Sequence, residues 1–72
     1  MTPEEIAWQA RFKAANAVTC MGDAMDAAIV RNSETLKSEN LHPETRKFLE
    51  GRIKEQKEEA AALRLIAREI MA

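Results

Sequence analysis

Apolar residues recur along this chain at intervals of three and four. That spacing gathers side chains on one side of an α-helix, whereas a strand would alternate them between two faces. Two long segments carry the pattern. The first opens on Thr2-Pro3-Glu4-Glu5. Threonine can accept from the free amides of a first turn, proline is already held at a helical φ, and Glu5, three residues after Thr2, completes a capping box. No further proline intervenes before Pro43. The pattern therefore predicts a helix over about residues 3–38. Its last part, RNSETLKSEN, is polar and keeps the periodicity only through Ile29, Asn32 and Leu36, so residues 32–42 read as either helix or loop.

A turn is expected at about residues 39–42, because Pro43 biases His42 away from helical dihedrals. Pro43 then opens a second helix over about residues 43–71. Phe48, Leu49, Ile53, Ala60, Leu63, Ile66, Ala67 and Ile70 mark its apolar face. The implied fold is all-α: one domain, residues 1–72, forming an antiparallel two-helix hairpin.

The first helix is unusual in how small its apolar residues are. Ala7, Ala10, Ala14, Ala17, Met21, Ala24 and Ala28 form a heptad row, a coiled-coil seam made almost wholly of alanine. Such a seam admits close backbone approach and leaves room for large residues opposite. Leu49, Ile53, Gln56, Leu63 and Ile70 are the expected opposing row. If the chain folds back at about residue 40, Ala28 faces Ile53, Val18 faces Leu63, and Gln56 lies near Met21 and Met25. Ala17→Leu is then expected to overfill the seam at a cost of about 1–3 kcal/mol. Gln56 is either a polar residue that fixes register within the seam or a residue at its edge reaching water.

A second row on the first helix contains Trp8, Phe12, Ala15, Thr19 and Gly22, displaced by about a third of a turn of the wheel from the alanines. It holds two of the three aromatic residues. One partner helix is not expected to cover both rows. The second row is expected to be buried by self-association, a homodimer closing as a four-helix bundle, or else to present Trp8 and Phe12 as anchors for a different protein.

Composition sharpens this picture. At 72 residues the chain has a poor surface-to-volume ratio, and chains this small commonly need a disulfide, a metal or association. Cys20 is the only cysteine and His42 the only histidine, too few for an internal disulfide or a structural zinc site. Association is the remaining support. With 11 basic and 12 acidic residues the net charge is −1, which argues against the basic face of a nucleic-acid binder. No secretory signal or membrane-spanning run is read, and a lone cysteine suits a reducing, cytoplasmic compartment.

Candidate chemistry is sparse. Cys20 lacks a sequence-near base or cation of the kind that activates a thiol. Asp23 and Asp26 share a helix face without the histidine companion of a di-iron site, and Asp26 is free to attract Arg52 or Lys57. Arg46, Lys47 and Arg52 are possible anion contacts, but interspersed glutamates make a solvated face the simpler reading. No cofactor is expected. The chain therefore reads as a non-enzymatic interaction protein that self-associates and acts by blocking or bridging another macromolecule. Its size and style suit small regulators or inhibitors of the kind carried by phages and mobile elements. The alternative is a helical oligomer that binds a small anion or nucleic acid between subunits.

Overall fold

The computed structural model describes residues 1–72 and contains two helices: α1, Pro3–Leu36, and α2, Pro43–Met71. They lie antiparallel in a rod of 60 × 14 × 12 Å. Both start as their sequences dictate. The Thr2 hydroxyl accepts from the Glu5 amide at 3.2 Å and donates to the Glu5 carboxylate at 3.3 Å. His42 caps α2 by accepting the Glu44 amide at its Nδ1, 3.1 Å away.

Helix α1 ends at Leu36, two residues before the expected boundary, and residues 32–36 are helical. Its last turn has no basic residue of its own. Arg46, from the first turns of α2, supplies one. Its guanidinium donates to the carbonyl oxygens of Leu36 and Ser38, both at 2.8 Å. A cation at the negative end of a helix, bonded to carbonyls that have no helical partner, is doubly favourable.

The seam on α2 follows Leu49, Ile53, Gln56, Ala60, Leu63, Ala67 and Ile70, with Ile53, Gln56 and Ala60 buried. The seam on α1 corrects the expected one. It runs through Ala15, Val18, Gly22, Met25, Ile29, Asn32 and Leu36, of which Ala15 and Gly22 are buried and the others half-buried. Ala10, Ala14, Ala17, Met21 and Ala24 are all exposed, and Ala28 is only half-buried at the seam's edge. The true row lies one residue later, a rotation of about 100°. The cause is burial: Val18, Met25, Ile29 and Leu36 remove far more apolar surface from water than alanines at equivalent spacing. Both seams keep alternating three- and four-residue steps, the repeat of a left-handed coiled coil.

Register also differs from that of a tight turn. Gln56 does not lie beside Met21 and Met25. It accepts a hydrogen bond from the Asn32 side-chain amide at 3.0 Å, one heptad further along α1. Gly22 lies beside Arg64. Residues 37–42 run onward beyond the end of α1 before α2 turns back, so the first turns of α2 project past Leu36, and Phe48 there is 69% exposed. The same shift opens the other end. Helix α2 stops level with about residue 14 of α1, and about eleven residues of α1, some 16 Å of helix, extend beyond it.

Candidate functional site

The region that combines uncovered apolar surface with large side chains is this extension of α1. Every residue from Met1 to Ala14 is exposed. Trp8 and Phe12, one helical turn apart, stack with ring centroids 5.4 Å apart and planes 11° from parallel. At heptad spacing they continue the α1 seam of Ala15, Gly22 and Ile29 beyond the point where α2 ends. Trp8 is 56% and Phe12 44% exposed. An open notch lies where α2 stops against α1, lined by Phe12, Ala15 and Thr19 from one helix and Ala67, Met71 and Ala72 from the other.

The five residues expected to form a second face on α1 are therefore divided by the structure. Trp8 and Phe12 stand on the uncovered extension. Ala15 and Gly22 lie inside the hairpin, against α2, and are not available to a partner there. Thr19 is exposed at the notch, and its hydroxyl donates back to the Ala15 carbonyl at 2.9 Å. Trp8, Phe12 and the buried pair belong to one drifting seam, of which α2 covers only the C-terminal part.

The two long edges of the hairpin differ in character. On one edge Arg64 reaches across from α2 to Asp26 and, at 3.5 Å, to Asp23 of α1. The expected attraction of Asp26 to Arg52 or Lys57 is replaced by this pair, and Arg52 bonds Glu55 on its own helix at 3.4 Å. The opposite edge carries the exposed Ala17, Met21 and Ala24 of α1 and the exposed Ile66 of α2, with no ion pair across it. This edge is apolar but shallow, because its alanine side chains are single methyl groups.

The candidate anion contacts are not gathered into a site. Arg46 is committed to the α1 carbonyls, Arg52 pairs with Glu55, and Lys47 stands exposed alone. Cys20 is exposed midway along α1, about 24 Å of helix from its end, whereas His42 beyond that end is occupied as an N-cap. Gln56, 5% exposed, lies inside the seam rather than at its edge, so its polar group is met by Asn32 and not by bulk water. No fully buried side-chain nitrogen or oxygen lacks a hydrogen-bond partner. Neither helix is long and apolar enough to cross a membrane.

Sequence reasoning found Trp8 and Phe12 but missed the projecting end that leaves them uncovered. The missing signal was register, which six loop residues of ordinary composition do not specify. No family model, curated protein or solved structure matches this chain.

Proposed function

We propose that this chain is a non-enzymatic interaction protein: a helical hairpin that self-associates, with a dimer favoured, and acts by binding another macromolecule in a reducing, cytoplasmic setting. The observation that carries the reading is the surface the hairpin leaves uncovered. Its accessible area is 5526 Å². A compact monomer of this mass exposes about 4,500 Å². The excess, of order 1,000 Å², is comparable to what one partner contributes to a protein–protein interface of ordinary size. Only five of 72 residues are buried, and Ile6, Trp8, Phe12, Met21 and Ile66 are all exposed. Dimerisation removes part of that surface from water.

The non-enzymatic part of the reading has its own support. Each group with chemical potential already has a structural partner or stands alone. Asp23 and Asp26 are met by Arg64, and His42 caps α2. Cys20 has neither a histidine nor a cation bonded to it.

The test is molar mass by light scattering after size exclusion, with loading concentrations from about 1 μM to about 1 mM, the range over which weak and moderate dimers dissociate. A mass that rises toward two chains supports the proposal. A folded monomer at every concentration overturns self-association.

A further inference from the structure

We propose that the occupant of the uncovered α1 extension is the same extension of a second copy, laid antiparallel so that two hairpins join tail to tail. This rests on the self-association proposed above and specifies where it occurs.

The first argument is length. A helix that replaces the missing part of α2 must run antiparallel to α1 over about eleven residues and then stop, because α2 itself occupies the line beyond. The extension of a second copy meets that requirement by symmetry. A twofold axis through its midpoint, near Trp8, brings residues 3–13 of each copy together and lets each α1 continue the line of the other's α2. The interface is isologous and closes at two copies.

The second argument is charge. Glu4 and Arg11 are a heptad apart on one edge of the helix, each about 40–60° around from Trp8. In an antiparallel pair of identical helices like edges meet. Glu4 of one copy then faces Arg11 of the other, and Arg11 faces Glu4. The axis that produces these two pairs lies between residues 7 and 8, at the midpoint of the extension that was fixed independently by where α2 ends. Neither Glu4 nor Arg11 has an ion-pair partner within its own chain.

The third argument is the apolar content at the axis. Trp8 of each copy lies beside its symmetry mate, flanked by Phe12, and each copy's Pro3 end comes to the notch beside Phe12, Ala15, Met71 and Ala72 of the other. Aromatic residues at the centre of an interface, with the charged pairs along its edge, are where binding energy concentrates in protein interfaces. The contact is small, so the association belongs to the weak end of the range.

The experiment uses charge exchange and the fluorescence of Trp8, the only tryptophan in the chain. Glu4→Arg and Arg11→Glu should each weaken the dimer by about tenfold, because each places like charges opposite one another. The double variant should restore an affinity within about threefold of the parent, since Arg at position 4 then meets Glu at position 11 of the other copy. Helical content by circular dichroism confirms that each variant is folded. On dilution of the parent protein, Trp8 emission should shift to the red in step with the loss of dimer mass. A dimer whose Trp8 emission does not change on dilution, or whose two reversals fail to rescue one another, overturns the tail-to-tail arrangement and leaves self-association standing. A monomer at all concentrations overturns both.

Discussion

Gly22 tests the packing of the hairpin through a single methyl group. It lies in the middle of α1, inside the seam and buried. A glycine in a helix seam has two physical meanings. Either the partner helix approaches so closely that no side chain fits, or the space is ordinary and the residue only weakens the helix. The structure selects the second. A Cβ built at position 22 meets the Arg64 side chain at 3.7 Å from Nη1, 3.8 Å from Cζ and 3.9 Å from Cγ, with no backbone atom of α2 among these nearest neighbours. These are normal van der Waals contacts with a flexible side chain. Gly22→Ala should therefore recover the helix-propensity difference, about 1 kcal/mol, plus some fraction of the roughly 0.8 kcal/mol that a buried methyl contributes. Gly51 provides the reference, since a Cβ there meets nothing within 4 Å. Gly51→Ala should yield propensity alone, about 1 kcal/mol. For a chain of this length each kcal/mol raises the melting temperature by about 4–8 °C. The assay is thermal unfolding by circular dichroism at one fixed low concentration, because association would add to apparent stability. If Gly51→Ala stabilises while Gly22→Ala destabilises, helices α1 and α2 pack more tightly than described. The ordinary spacing between Gly22 and Arg64 would then have to be abandoned.

Three further variants probe the remaining features. Ala17→Leu should change the unfolding free energy of the hairpin, measured in urea, by less than about 0.5 kcal/mol, because position 17 is exposed; a loss of about 1–3 kcal/mol would reinstate the alanine row as the seam. Replacing Asn32 and Gln56 together by leucine should stabilise the hairpin by about 1–2 kcal/mol while removing its polar register mark, read as a higher urea midpoint with duplicated amide signals in the NMR spectrum; a less stable double variant would mean that the bond between them contributes net stability. Arg46→Met should cost about 1–2 kcal/mol in urea unfolding and speed amide exchange in the last turn of α1, because two carbonyls lose a charged donor; unchanged exchange there would refute its capping role.

How far the sequence discloses the fold depends on which physical term decides each feature. The helices and their starts are local. Thr2, Pro3 and Glu5, and later Pro43, act on their immediate neighbours, and the structure has α1 starting at Pro3 and α2 at Pro43 as those residues imply. The α2 seam was legible in Leu49, Ile53, Leu63 and Ile70, which stand against a charged remainder, whereas Phe48 and Ile66, read on the same face, are exposed. On α1 two rows compete, and the contest is settled by buried area. A count of apolar positions favours Ala10, Ala14, Ala17 and Ala24, whereas weighting by side-chain size favours Val18, Met25, Ile29 and Leu36. That weighting was available from the sequence.

Register is a different kind of quantity. The alternatives differ by about one heptad, and a heptad slip leaves every seam residue on its own face. Apolar periodicity is therefore blind to it, and only the residues that break the pattern can discriminate. Asn32 and Gln56 are such residues: each interrupts its seam, each would be costly if buried alone, and only one register pairs them. Arg64 with Asp23 and Asp26 selects the same alignment from the helix edge. Two polar interruptions on facing helices are thus better read as a pair than as separate defects. Once they are paired, α2 is carried past the end of α1 at the loop, and Trp8 and Phe12 are left uncovered at the other end. The exposure on which the proposed tail-to-tail dimer rests follows from a hydrogen bond between two amides placed well away from it along the rod.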